Sequence, residues 1–275
     1  LKSNTTASSN TAFGATALFS NTTGSSNTAI GSGALSLNTT GDWNTTNGFA
    51  SLFFNTTGSE NTASGYKALQ QNTTGDDNTA TGTGALGYNT TGSGNTASGY
   101  GALGVSTTAD FNTSIGYISM VTNVDGTLNA AIGSGALGYN TEGSWNVGAG
   151  ASALFSNTTG NFNTGIGRAA LYENTTGGGN TSLGYSAGDI ITEGIGNVIL
   201  GYGADASSAS ALNQIAIGYN VTGTGNNEIA LGNANISAIK AQVTSITSYS
   251  DIRIKKNIMD SDLGLAFINK LRPVK

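Results

Sequence analysis

The sequence predicts an all-β fold, a parallel β-solenoid of about fourteen coils built on a 17-residue repeat. Two observations carry this prediction. An asparagine recurs every 17 residues from Asn10 to Asn197, and the series continues with Gln214 and, after a step of 14, with Glu228. A glycine stands four residues after each of these anchor positions, beginning with Gly14. One such coil is too short to bury its own apolar side, so the coils must stack and share a continuous core.

Each coil is expected to contain two short strands and two turns. The segment after the anchor alternates polar and apolar residues, which is typical of a strand, and the recurring Asn-Thr-Thr-Gly segment is typical of a turn. Leucine or methionine stands eight residues after the anchor in ten coils, from Leu18 to Leu171. Stacked asparagines can hydrogen-bond along the axis as a ladder, and the recurring glycine suits a corner with positive φ. The residues assigned to this structural ladder are Asn27, Asn61, Asn95, Asn129, Gly31, Gly65, Gly99 and Gly133.

The composition excludes most catalytic chemistry. Of the 275 residues, 42 are glycine and only 9 % are charged, and the chain has neither cysteine nor histidine. Nucleophile–histidine pairs, disulfides and the usual nitrogen and sulfur ligands of metals are therefore absent. Glycine without a Gly-X-Y period also excludes collagen. We predict no cofactor and no metal site and, because the basic residues of the repeats are isolated, no nucleic-acid binding.

One strand position distinguishes the early coils from the later ones. The third residue after the anchor is mostly polar at first, whereas from Ile115 onwards it is Ile, Leu or Ala. Its neighbour on the opposite face is often apolar as well, as in the pair Ile199 and Leu200. Because a coil has one interior, a strand that is apolar on both faces needs a second cover. We expect this cover to be another copy of the chain, with the tightest association in the C-terminal half.

The segments NTAIGSGAL (27–35) and NEIALGN (227–233) resemble the head repeats of trimeric autotransporter adhesins of the YadA type. The resemblance covers about residues 4–233 and implies a left-handed parallel β-roll with three chains around one axis. The family coil usually has 14 residues, a length matched here only by the step from Gln214 to Glu228. The homotrimer is therefore implied by the resemblance, while the repeat pattern alone predicts only association.

Two further segments follow the repeat array, which occupies residues 1–233. Residues 234–249 favour a neck of interwound strands, although their spacing also fits one and a half heptads of a coiled coil. The net charge then changes from −8 over residues 1–250 (4 basic, 12 acidic) to +3 over residues 251–275 (6 basic, 3 acidic). A helix is predicted between Ser261 and Pro273, so residues 250–275 form a short α/β start of a new domain.

Residues 248–275 resemble the start of the intramolecular chaperone domain of phage tail spikes and tail fibres, the endosialidase-type or S74 peptidase family. In that family the domain trimerises the chains, templates the β-fibre and then cuts itself off before a Ser-Asp pair. The resemblance implies that Ser250 and Lys255 form the catalytic dyad and that Tyr249–Ser250 would be the bond cleaved; an uncleaved or inactive copy of the domain is the alternative. A lysine with a pKa lowered by burial can act as the base for a serine hydroxyl. We predict no other enzyme activity.

Three recurring patterns have both a structural and a functional interpretation. Asn-x-Ser/Thr sequons, as at Asn21, fit glycosylation but are better explained as turn asparagines. The G-x-G-x-x-G segments that begin at Gly82 and Gly133 lack the βαβ context of a nucleotide site. Aromatic residues that follow the corner glycines, such as Tyr66, fit a stacking ladder better than a sugar or partner site.

These features predict a structural and binding protein, a trimeric extracellular fibre segment on a cell surface or a virion, of the phage tail-fibre or bacterial adhesin type. Its expected partners are two further copies of itself and an unidentified cell-surface receptor, with a glycan among the options. The alternatives are a repeat protein of a self-assembling filament or sheath, and a polysaccharide depolymerase, for which paired carboxylates are missing. No signal peptide or membrane-inserting segment is recognised, and we expect the natural chain to extend on both sides.

Overall fold

The computed structural model describes residues 3–238, and within them it contains strands but no helix. Fourteen strands of three residues each form one sheet in the order of the sequence. Every strand pairs in parallel with its neighbours, so the chain makes about thirteen turns between the first and the last strand. The strands are β1 Thr11–Phe13, β2 Thr28–Ile30, β3 Thr45–Asn47, β4 Thr62–Ser64, β5 Thr79–Thr81, β6 Thr96–Ser98, β7 Thr113–Ile115, β8 Ala130–Ile132, β9 Val147–Ala149, β10 Thr164–Ile166, β11 Thr181–Leu183, β12 Val198–Leu200, β13 Ile215–Ile217 and β14 Ile229–Leu231.

The register aligns equivalent residues of successive coils. Thr45 of β3 pairs with Thr62 of β4, and the same 17-residue offset holds up to the pairing of Val198 with Ile215. Only the last pairing, of Ile215 with Ile229, has an offset of 14 residues. Each position of the repeat therefore forms a column along the solenoid axis, with a spacing of about 4.8 Å. The prediction of an all-β parallel solenoid with a 17-residue repeat is confirmed.

The expectation of two strands in each coil is wrong, because each coil contains a single strand of three residues. The segment that follows this strand cannot be extended, since every second residue in it has a positive φ. In the third coil, Gly48, Ala50 and Leu52 have φ angles of 149°, 51° and 50°. These residues turn the chain through a compact corner at the place where the second strand was expected.

The core is narrow and consists mainly of alanine and leucine columns. Most alanines at the second strand position, such as Ala29, and the leucine or methionine side chains eight residues after the anchor in ten coils are fully buried. The buried leucines have left-handed backbones, with φ of 49° at Leu35. This conformation costs about 1–2 kcal/mol, whereas burying a leucine side chain contributes about 1.5–3 kcal/mol. Burial in the shared core therefore compensates for the backbone strain.

Close approach of neighbouring coils explains the glycine at each corner. Gly65 has a φ of 137°, and a Cβ atom at this position would lie 2.6 Å from the carbonyl oxygen and 2.7 Å from the carbonyl carbon of Gly82. The collision would be with backbone, which cannot move aside as a flexible side chain can. Gly31, Gly99 and Gly133 occupy equivalent corners with φ of 129°, 136° and 128°.

The chain divides into two compact units, Leu1–Asn235 and Ile236–Lys275, and the first of these is the solenoid. The predicted neck lies outside the described residues from 239 onwards, as do the predicted chaperone start and its helix. Across residues 3–238 there is no helix with the length and hydropathy needed to cross a membrane.

Candidate functional site

The anchor asparagines form a buried hydrogen-bonded ladder along the solenoid. From Asn27 to Asn180 each Oδ1 atom accepts two bonds from the next asparagine: Asn44 donates its backbone N–H (2.9 Å) and its Nδ2 (3.1 Å) to Oδ1 of Asn27. The same Nδ2 of Asn44 also donates to the carbonyl oxygen of Gly58 at 2.9 Å. The pattern continues to Asn197, whose Oδ1 accepts the N–H of Gln214. The assigned residues Asn61, Asn95 and Asn129 make the equivalent bonds.

The asparagines of the Asn-Thr-Thr-Gly segments form a second buried ladder beside the first. Nδ2 of Asn55 donates both to Oδ1 of Asn38 and to the carbonyl oxygen of Gly58, each at 2.8 Å. The carbonyl of Gly58 thus accepts from both ladders, through Asn44 and Asn55. An unpaired buried amide costs about 1–3 kcal/mol, so this cross-linked network strongly favours the stack with every asparagine in register.

The second ladder is interrupted at Ser106 and ends at Asn174, because the next position is occupied by Ile191. Oδ1 of Asn89, the hydroxyl of Ser106 and Oδ1 of Asn174 are buried and have no hydrogen-bond partner within the described residues. Since buried polar groups are nearly always paired in folded proteins, these three atoms mark weak steps of the stack.

The sequon asparagines of this second ladder, from Asn21 onwards, are closed to modification in the folded chain. Asn38 and Asn55 are fully buried. Their Nδ2 atoms, to which a glycan would be attached, each donate two hydrogen bonds. This geometry supports the interpretation of these sequons as turn and ladder residues.

The outward third strand position is apolar in β1 and β2 (Phe13 and Ile30), polar in β3–β6 and apolar again from β7 onwards. At the third strand position, β3–β6 carry Asn47, Ser64, Thr81 and Ser98. In the later strands the same column is almost wholly apolar and largely exposed, while the inward neighbours, such as Ile199, are fully buried. A continuous exposed apolar column of this kind marks an interaction surface. We call it the apolar face; its residues are Ile115, Ile132, Ala149, Ile166, Leu183, Leu200, Ile217 and Leu231.

One aromatic column follows the corner glycines, and its rings stack on one another between coils. Three groups are formed, with centroid distances of 4.9–5.5 Å between successive rings. Arg168 lies at the start of the last group, donates to Oη of Tyr185 at 2.9 Å and lies 5.3 Å from its ring. These contacts fit the stacking ladder expected for this position. The groups are Phe49–Tyr66, Tyr100–Tyr117 and Tyr185–Tyr202–Tyr219.

A second column of large exposed side chains lies one residue before the anchor, and sequence reasoning missed it. We call it the pre-anchor column. Its backbones have φ of 55–61°, a region that bulky residues rarely adopt. A sequence signal was available, because Gly94, Gly179 and Gly196 occupy the same position and glycine is the usual residue at positive φ. The large residues are Trp43, Phe111, Leu128, Trp145 and Phe162.

Two carboxyl groups interact near the C-terminal end of the array. The pKa of Asp205 is raised to about 7, chiefly by burial; the N–H of Ala206 opposes the shift, and the hydrogen bond and charge of Asp189 contribute to it. That N–H donates to Oδ1 of Asp205 at 2.8 Å. Asp205 therefore holds a proton at mildly acidic pH. Within residues 3–238 no three acidic side chains are grouped so that they could bind a metal ion.

The remaining residues and motifs predicted from the sequence lie either outside the described residues or at solenoid corners. Ser250, Lys255 and the bond between Tyr249 and Ser250 lie outside the described residues. The G-x-G-x-x-G segments at Gly82 and Gly133 begin at solenoid corners, each after a strand and before a turn without a helix. They therefore lack the helix N-terminus that binds phosphate in nucleotide sites.

Comparison with known proteins does not assign the chain to a family. The chain matches no protein-family model, and no curated protein is similar to it.

Proposed function

We propose that this chain is a segment of a trimeric extracellular fibre that attaches to a cell surface, of the phage tail-fibre or bacterial adhesin type. The observation that carries the proposal is the apolar face. A single chain leaves its isoleucines and leucines in water, whereas identical chains arranged around one axis can cover them in a closed assembly. The polar outward positions of β3–β6 would remain compatible with water.

The interior of the solenoid supports a mechanical role. The in-register strands and the anchor asparagines tie each coil to the next along the array, and the second ladder adds bonds from Asn21 to Asn89 and from Asn123 to Asn174. The chain therefore has the repetitive cross-linking that a stiff extended element requires. The resemblance of residues 27–35 and 227–233 to adhesin head repeats supports a left-handed roll and three chains rather than two.

The mass of the full chain in solution tests the proposal. Light scattering coupled to size exclusion is expected to give three times the mass of one chain. A monodisperse monomer would contradict the fibre proposal, and a dimer would contradict the trimer. Negative-stain electron microscopy of the same sample separates discrete fibres from open-ended filaments, which are the product expected for a sheath protein.

We also propose that residues 250–275 begin an intramolecular chaperone domain that cleaves the chain before Ser250. The support is the resemblance of residues 248–275 to the start of that domain, with Ser250 and Lys255 at the spacing of the dyad. Incubation of the full-length protein should produce a new N-terminus at Ser250, detected by N-terminal sequencing, and Lys255→Ala should abolish it. An intact chain after prolonged incubation would reject self-cleavage.

A further inference from the structure

We propose that the pre-anchor column contains a binding site for a neutral pyranose sugar, formed by Phe162 and the bare backbone of Gly179 and Gly196. The inference rests on the function proposed above, because it names the chemical class of receptor that the fibre would bind, a cell-surface glycan. It assigns that role to one short stretch of the solenoid surface.

The ring of Phe162 has one covered and one open face. Its covered face stacks on Trp145, with centroids 5.1 Å apart and ring planes 11° from parallel. In the next two coils the column continues with Gly179 and Gly196, both exposed. Among the described residues, a Cβ on Gly196 would meet no atom within 4 Å, and a Cβ on Gly179 would meet only the backbone of Gly196, at 3.9 Å. A notch with a backbone floor therefore lies beside the aromatic ring.

Phe111 shows that this notch is not a general property of the column. Phe111 and Phe162 are equally exposed, at 62 %. The ring of Phe111, however, lies over Gly94, where a Cβ would be 2.6 Å from its Cδ1 atom. In the following coil the column is occupied by the exposed side chain of Leu128. Phe111 therefore occupies the same column as Phe162 but has no open surface in the coil before it or in the coil after it.

Polar groups lie at the other end of the notch. Asn213 holds the pre-anchor position of the next coil, is exposed, and donates from Nδ2 to Oδ1 of Asn227 at 3.0 Å. Its second amide N–H and its carbonyl oxygen can bind hydroxyl groups. Three coil steps separate Phe162 from Asn213, about 14 Å at the spacing of parallel strands. An apolar ring face followed by amides matches a short oligosaccharide, whose sugar rings have an apolar C–H face and hydroxyl edges.

Tryptophan fluorescence provides a direct test, because the chain has only two tryptophans. In the full-length chain with Trp43→Phe, emission comes from Trp145, which lies directly behind Phe162. The protein is titrated with methyl α-mannopyranoside, methyl β-galactopyranoside, methyl β-glucopyranoside and the α-linked or β-linked trisaccharides of these sugars. We expect at least one of them to give a saturable change in the emission. The variant Phe162→Ala should weaken this binding about tenfold, which corresponds to about 1.4 kcal/mol, because the sugar loses its stacking surface.

Two further variants separate the notch from the column. Gly179→Phe should abolish binding by filling the notch, and the fold accommodates this residue at the same position in other coils, as Phe111 and Phe162 show. Phe111→Ala is the matched control and should bind as the parent does. Absence of a saturable change with all of the sugars overturns the site, and so does equal binding by the parent and Phe162→Ala.

Light scattering on the same samples distinguishes this inference from the fibre proposal. If the protein is a trimer and binds no sugar, the sugar site is rejected and the fibre proposal stands. If the protein is a monomer and binds sugar through Phe162, the fibre proposal is rejected and the sugar site stands. If Phe162→Ala dissociates the trimer, the ring belongs to the interface between chains, and the sugar site is overturned.

Discussion

The two halves of the solenoid share the leucine column of the core and differ in what they present on the outside. Leu52 and Leu171 occupy the same fully buried position with φ of 50° and 53°. At the outward third strand position, by contrast, the early half has Ser64 and the later half has Leu183. Because both halves fold into the same coil, the outward difference is not required by folding of the single chain. The proposed association accounts for it, because the early half would then face water and the later half the apolar surface of another chain.

The halves also differ in the second asparagine ladder. It runs without interruption from Asn21 to Asn89, but after Asn174 its place is taken by Ile191, which belongs to the hydrophobic core. The early coils are thus held together by amides within the chain, and the last coils depend more on apolar packing. A repeat with constant spacing can still distribute its stabilising interactions unevenly.

The largest expected effect is the loss of association when charges are placed on the apolar face. The double variant Ile166→Asp, Leu200→Asp should convert the oligomer to a monomer, because two carboxylates would have to be buried without partners. Ser64→Asp, Ser98→Asp places the same charges two coils apart on the polar half and should leave the mass unchanged. Light scattering measures both, and a stable oligomer in the first variant would place the interface elsewhere.

The next effect concerns the ladder of the early half. Asn72→Ala would leave Oδ1 of Asn55 without its donor and Nδ2 of Asn89 without one acceptor. A loss of about 2–4 kcal/mol in the free energy of unfolding is expected. Asn174→Ala, at the end of the ladder, should cost about 1 kcal/mol, since its Oδ1 has no partner to lose. Guanidinium unfolding followed by circular dichroism compares the two, and equal losses would argue against a cooperative ladder.

The sequence predicts the parts of this structure that follow from periodicity, and it misses those that depend on left-handed backbone. The 17-residue spacing determines the strand order, the register and the leucine column. The single strand per coil was missed because rules of residue preference do not place Leu35 or Trp145 at positive φ. Glycine and asparagine at the pre-anchor position, as in Gly179 and Asn213, are the sequence signal for that conformation. The notch beside Phe162 additionally depends on which way each ring leans, which no spacing rule contains.

Repair of the ladder should have a smaller and opposite effect. Ser106→Asn would offer a donor to Oδ1 of Asn89 and connect the ladder of the early half to Asn123. We expect a gain of about 1 kcal/mol in the free energy of unfolding, the usual value of one buried hydrogen bond. Ser106→Ala is the control, because it removes the unpaired hydroxyl without connecting the ladder. A destabilised Ser106→Asn would show that this coil cannot accept an asparagine.

The smallest expected effect is a pH dependence confined to the later half. The pKa of Asp205 rises from 3.8 in the unfolded chain to about 7 in the folded one, so the folded state binds the proton more tightly. Between about pH 4 and pH 7 the unfolded chain releases this proton and the folded chain keeps it, and stability therefore falls as the pH rises through that range. The effect is modest because Asp205 is only half-buried, and solvent screens its charge.

Asp205→Asn should remove this part of the slope in unfolding midpoints measured from pH 4 to pH 8. Asp189→Asn should shift the upper end of this pH range to lower pH, because the hydrogen bond and the charge repulsion from Asp189 disappear while the burial of Asp205 remains. An unchanged slope in Asp205→Asn would show that the pair does not couple protonation to folding, and the two halves would then differ only in their outward faces and ladders.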